Sequence, residues 1–212
     1  MIAITGIHGN FYSNPFYYNI GDTLNAGNID FVYAQTNDAF GQIKTVNVNT
    51  GREETIGSWN ERFSYTDEDI DAYLTFAEEE GYEHIILAGH SLGANKVIYY
   101  LSHNHDPRVE HFFLLSPANL TYMMSGVTEW EKKIIKEQVE SGEGDKMLPF
   151  PFMGWVECTN TAWDWQFSGL LNNVHTAKDG DFTQAEKITH TGALLVALCV
   201  RLDVSEAQKI LW

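Results

Sequence analysis

Cysteine is nearly absent: Cys158 and Cys199 are the only two in 212 residues, too few and too widely spaced for a disulfide framework or a zinc site. Basic residues are scarce too. Lysine and arginine number 13 against 29 acids, a formal net charge of -16, which repels the phosphates of nucleic acids and anionic membranes. The acids are spread through periodic segments, as on a solvated surface, and do not form one interacting block. No apolar stretch approaches the ~18–20 residues that a membrane span needs; the longest runs from Gly192 to Val200. The opening Met1-Ile2-Ala3-Ile4-Thr5-Gly6-Ile7 lacks a positive region and a small-residue cleavage site, so no secretory signal is expected and the cytoplasm is the default location. Neither a dinucleotide-binding G-x-G-x-x-G nor a P-loop occurs, and no cofactor or metal is expected.

What is present is an alternation of short apolar runs with helical patterns, the signature of βα units around a parallel sheet. Strands are expected at Ile2 to Ile7, Asp30 to Ala34, His84 to Ala88 and His111 to Leu115, each short and apolar as in strands covered on both faces. Between them, Thr66 with Asp69 three residues on reads as a capping box opening a helix that Gly81 ends, with Ile70, Tyr73, Leu74 and Ala77 on its apolar face. A second helix should start at Ser91 and turn Ala94, Val97, Ile98 and Leu101 inward before the break at Asp106-Pro107. After Ser116-Pro117 the texture changes. One charged amphipathic helix, about Thr128 to Val139, leads into a glycine-broken and then aromatic stretch holding Trp155, Trp163 and Trp165 with Phe150, Phe152 and Phe167. These aromatics are either ordinary core or the apolar underside of an inserted cap over a ligand pocket. Sheet pattern returns at Ala193 to Val200.

The chemistry concentrates in His84-Ile85-Ile86-Leu87-Ala88-Gly89-His90-Ser91-Leu92-Gly93-Ala94-Asn95-Lys96. Apolar strand, sharp turn and helix follow in the order that a G-x-S-x-G nucleophile elbow requires. Ser91 must take a strained backbone conformation to project its hydroxyl, and Gly89 and Gly93 give strand and helix room to approach. His90 adjoins the serine in sequence, but neighbouring side chains on such a turn diverge, whereas a base must come within ~2.6–3.2 Å of the serine oxygen. His103, His105 and His111 read as surface or strand-edge residues.

Gly89-His90-Ser91-Leu92-Gly93 after Ile85-Ile86-Leu87-Ala88 resembles the α/β-hydrolase superfamily. The longer run through Lys96 to Leu101 and Phe113 to Ala118 is similar to a bacterial branch related to serine-aminopeptidase and lysophospholipase-like proteins. The resemblance implies an α/β-hydrolase-type, mostly parallel sheet flanked by helices, a core of residues 1–118 and 179–212, and a helical cap at 119–178. His8-Gly9 matches the superfamily's oxyanion loop, so the resemblance implies that backbone N–H groups of Asn10 or Phe11, with that of Leu92, would hold the oxyanion.

In the superfamily the acid and then the histidine follow the serine. Asp203 is the best-placed acid, Glu206 a lesser one, and after the strand at His111 to Leu115 the chain offers only Asn119. No histidine follows Asp203; His175 and His190 precede it and would have to serve from an unusual direction. Members of the superfamily also carry two strands before the one at Met1, so a truncated, frameshifted or reduced member is expected, prone to self-association through sheet edges. Three functions stay open: a serine hydrolase that acts on a small-molecule ester, thioester or amide through an acyl-enzyme on Ser91; a non-catalytic protein that keeps the pocket for a ligand or partner; and an acyltransferase using the same serine, which needs an acceptor site that the sequence does not reveal.

Overall fold

The computed structural model describes residues 1–10, 12–154, 157–173 and 181–195. Along the chain run β1 (Ile2–Ile4), α1 (Phe16–Ala26), β2 (Val32–Ala34), a hairpin of β3 (Ile43–Val46) and β4 (Glu53–Ile56), α2 (Thr66–Glu79), β5 (Ile85–His90), α3 (Leu92–Asn104), β6 (Val109–Leu115), α4 (Leu120–Ser125), α5 (Glu129–Glu140), α6 (Thr159–Phe167) and β7 (Thr191–Leu195). Five of the strands form one sheet in the order β2-β1-β5-β6-β7, and every neighbouring pair in it is parallel. This is an α/β fold.

Successive strand residues point to opposite faces, and that rule sorts the core. Ile2, Ile4, Ile85 and Leu87 pack with Ile70, Leu74 and Ala77 of α2 and with Ala94, Val97, Ile98 and Leu101 of α3. The alternate residues, Ala3, Tyr33 and Ala88, pack with Tyr17 of α1 on the other face. All four residues expected to turn inward on α3 are fully buried. A further apolar cluster joins Leu120 of α4, Ile135 of α5, Phe152, and Ala162 and Trp165 of α6 to Phe63 and to Leu92 at the start of α3, with Ile7 and Ala118 packed against it. The segment after β6 is therefore rooted beside the carboxyl ends of β1, β5 and β6.

α5, where the sequence predicts a charged amphipathic helix, opens on a capping box: the Thr128 side chain accepts from the Glu131 N–H, and Glu131 caps the Thr128 backbone in return. The box expected at Thr66 and Asp69 does not form. Thr66 is already helical, the N-cap is Tyr65 without a side-chain cap, and the Asp69 carboxylate instead accepts the backbone and side-chain N–H groups of Asn37. A tertiary donor has displaced the local one. Among the described residues no helix is long and apolar enough to cross a membrane.

Candidate active site

Ser91 has φ 55° and ψ -126°, a region where a non-glycine residue is strained. It sits between the last residue of β5 and the first of α3, and its N–H donates to the Leu115 carbonyl at 3.0 Å, which ties the turn to the end of β6. The glycines explain how the turn fits. A Cβ on Gly93 would lie 2.2 Å from the Ile4 carbonyl oxygen, and one on Gly89 would lie 2.4 Å from that of Gly93, so helix, elbow and β1 are in backbone contact. Gly6, just past β1, is nearer still to the chemistry: a Cβ there would meet the Ser91 Cβ at 2.9 Å and Oγ at 3.2 Å. The serine side chain thus lies beside the loop that begins at Gly6.

That loop is held by its own polar atoms. Gly9 donates its N–H to the Gly6 carbonyl at 2.9 Å. Asn10 is buried; its Nδ2 donates to the His8 carbonyl, and its Oδ1 accepts from the backbone N–H groups of Tyr12 and Ser13. With the side chain committed to the turn, the backbone N–H is what Asn10 has to offer an oxyanion. Leu92 opens α3, so its N–H has no partner within the helix and lies at the positive end of the helix dipole. Phe11, the other oxyanion candidate, lies outside the described residues.

His90 does not approach the serine hydroxyl. Its ring stands edge-on to Phe16 at 5.3 Å and to Tyr17 at 5.9 Å, on the α1 side of the sheet, and burial there lowers its pKa. With Met1, Tyr17, Ile20, Phe31 and Phe113 it lines an apolar hollow of about 380 Å³. His103 and His111 are exposed and face Asp67 and Glu110. His190 is excluded as the base by topology. It immediately precedes β7, whose Thr191 pairs with His111, whereas Ser91 follows His90, which pairs with Leu115. The two are at opposite ends of a parallel sheet, about 20 Å apart at ~3.3 Å per residue. His190 Nε2 is spent on the Asp106 carbonyl at 2.9 Å. Among the described residues no histidine is hydrogen-bonded to Ser91. Asp203, Glu206 and His175 lie outside the described residues, so no acid or base stands assigned.

Asn172 exchanges hydrogen bonds with Asn95, one turn into α3, and Asn173 donates to Asn119 beyond β6. Both anchors are at the Ser91 end. Asn119 itself caps α4 by accepting from Tyr122.

A buried charged cluster at the same end escaped the sequence reading. Lys96 of α3 is 1 % exposed; its Nζ lies 3.0 Å from Glu61 Oε1 and 3.3 Å from Asp38 Oδ2. Burial alone would lower the lysine, but Asp38, Glu61 and Asp69 outweigh it and hold the ammonium charged, above its usual value. Burial likewise raises the Glu61 carboxyl against the pull of Lys96, while its Oε2 accepts from Trp165 Nε1 at 2.7 Å. Glu157 is also buried, with neither carboxylate oxygen hydrogen-bonded among the described residues; burial, with Glu61 and Asp38 adding repulsion, pushes it up to about 8. A signal for this was legible. α3 contains no acid, so a lysine in it has no helical partner at i±3 or i±4 and must find one elsewhere or face solvent. Among the described residues no group of His, Cys, Asp and Glu is arranged to hold a metal.

Among curated proteins none matches the sequence. A solved structure that matches is an extracellular α/β-hydrolase from a Paenibacillus species, described as sharing structural and functional homology with tobacco salicylic acid binding protein 2. It is 10% identical, with 99% of this chain and 96% of that chain covered and a TM-score of 0.45; at that distance none of its chemistry transfers. Over residues 1–182 the sequence matches the family described as "Protein of unknown function (DUF1749)". The match spans both the Gly6 loop and the Ser91 elbow, and the chain belongs to the DUF1749 family.

Proposed function

We propose that the protein is a serine hydrolase acting on carboxylic esters, thioesters or small amides through an acyl-enzyme on Ser91. The observation that carries this reading is the Ser91 backbone at φ 55° and ψ -126°, a strain that persists only where surrounding structure enforces it and that clusters at reactive sites. In the proposed reaction Ser91 Oγ attacks the carbonyl carbon as a base takes its proton. The Leu92 and Asn10 N–H groups stabilise the oxyanion of the tetrahedral intermediate. Collapse expels the alcohol, thiol or amine, and water then releases the acid and frees the serine. In this reading residues 119–178 form the cap, with Trp165 and Phe152 in its apolar floor against Leu92. The resemblance to the serine-aminopeptidase and lysophospholipase-like branch fits the same bond classes.

The alternative, a ligand- or partner-binding protein on this fold, is favoured by one observation: among the described residues no histidine reaches Ser91. A fluorophosphonate probe separates the two. Labelling at Ser91 that disappears in Ser91→Ala supports the hydrolase; labelling of that variant at an unchanged level removes Ser91 from the mechanism, and no labelling at all favours the binding protein. Hydrolysis of p-nitrophenyl esters then tests the base. His190→Ala should stay within about twofold of the parent, because its ring is at the far end of the sheet. Loss of turnover in His175→Ala would identify an unconventional base.

A further inference from the structure

The Lys96 cluster touches the same two segments that hold the Gly6 loop. Asp38 is followed by Ala39 and Phe40; Ala39 forms a bridge with His8, and the Phe40 N–H donates to the His8 carbonyl at 3.4 Å. Glu61 donates its N–H to the Ser58 carbonyl at 3.2 Å, and the Ser58 Oγ lies 2.7 Å from His8 Nδ1. The Ser58 N–H in turn donates to Phe40 O, which joins the two segments to each other. Each carboxylate on Lys96 therefore belongs to a strip of backbone that grips His8, at φ 60°, two residues before Asn10. Lys96 is five residues along the helix whose first N–H is that of Leu92. One buried ammonium thus connects the two halves of the candidate oxyanion site.

We propose that Lys96, Asp38 and Glu61 are positioning residues that set the Gly6–Asn10 loop against the amino end of α3, so that the Asn10 and Leu92 N–H groups converge on one oxyanion. The proposal rests on the hydrolase reading for its chemistry but not for its geometry. Burying three charges is costly, and apolar residues of the same volume would commonly serve stability as well or better. Charged groups make directional contacts that apolar ones do not, and a transition-state donor misplaced by ~1 Å loses much of its effect.

The test uses the full chain carrying Lys96→Met, Asp38→Asn and Glu61→Gln together, which removes both ion pairs along with the two carboxylates that form them. Hydrogen exchange at the Gly9 amide should quicken by about tenfold or more while that of Leu87 in β5 stays unchanged, the signature of local rather than global opening. On a p-nitrophenyl ester, kcat should fall by about 10- to 100-fold with KM within about threefold, short of the ~10²–10³ lost with an oxyanion donor itself. Exchange that is unchanged, or that quickens equally at Gly9 and Leu87, overturns the proposal. If the parent hydrolyses no ester, the hydrolase reading fails and exchange alone decides the positioning role. Should the triple variant not fold, Ser58→Ala, which deletes one hydroxyl from the grip on His8, must still quicken Gly9 over Leu87; equal exchange in that variant is equally fatal.

Discussion

The two ends of the sheet each hold a polar cluster, and the two are built on opposite terms. At the amino ends of the strands, Arg108 donates to both oxygens of Asp106, to Asp71 and to Thr75, Tyr100 adds a bond to Asp106, and His190 takes the Asp106 carbonyl. Burial works against the Asp106 carboxylate, but the bonds from Arg108 and Tyr100 hold it down to about 2. At the carboxyl ends, Lys96 is sealed among Asp38, Glu61 and Asp69, and Glu157 is added to this excess of acids with no hydrogen bond to either oxygen among the described residues. The first cluster closes its own hydrogen bonds and stands at the rim. The second keeps unbalanced acid in the interior, at the same end of the sheet as the strained serine. Uncompensated burial of this kind is a pattern that marks functional sites in general.

Three measurements sharpen or break that contrast. The largest effect is expected from Lys96→Met alone, which leaves Asp38 and Glu61 buried without their cation. Urea unfolding at neutral pH should show a loss of about 3–5 kcal/mol, and a loss under ~1 kcal/mol would mean that the cluster is better hydrated than its burial indicates. Glu157→Gln comes next and has the opposite sign. Because the Glu157 carboxyl rises from its usual 4.5 to about 8, between those values the folded protein keeps a proton that the unfolded chain has released. Parent stability therefore falls as pH rises through that window, by up to ~1.4 kcal/mol per unit, and levels off above about 8. The glutamine variant should flatten the slope and be more stable than the parent at pH 9; parallel curves for the two proteins would refute the assignment. Smallest is Asp71→Ala at the other end. Its side chain is 59% exposed and Arg108 keeps Asp106 without it, so the change should stay within ~0.5 kcal/mol and vanish in 1 M salt.

The contrast also explains what the sequence disclosed. The parallel strands and α3 were legible because burial on both faces writes uninterrupted apolar runs, and the elbow was legible because Gly89, Ser91 and Gly93 answer to backbone sterics fixed within five residues. Helix α1 was not. Its sequence, with Asn19, Gly21 and Asn25, has weak helix propensity and no side-chain cap, and only Tyr17 and Gly21 are buried; tertiary packing makes it a helix. The β3–β4 hairpin is half or fully exposed along its length, so it lacks the alternation by which a hairpin is recognised. The Thr66 capping box failed for a related reason: the motif is local, and a donor 32 residues away at Asn37 took Asp69. At the candidate site, Ser91, Asn10 and Leu92 could be proposed from sequence because the elbow and loop are short-range motifs. Lys96 could not be assigned partners, since Asp38 and Glu61 approach it from segments 58 and 35 residues away in sequence.

The turn at Asn10 limits which residue the chain can tolerate there. Aspartate would accept the Tyr12 and Ser13 amides as well as asparagine does, and as a turn former it is its near equal. It could not donate to the His8 carbonyl, as Asn10 Nδ2 does at 2.9 Å, and in the proposed reaction its fixed negative charge would stand beside the point where the carbonyl oxygen gathers negative charge. A single-atom exchange, nitrogen for oxygen, would keep the turn at the cost of one hydrogen bond while opposing the proposed reaction, so position 10 is where the demands of the turn and those of the proposed chemistry part.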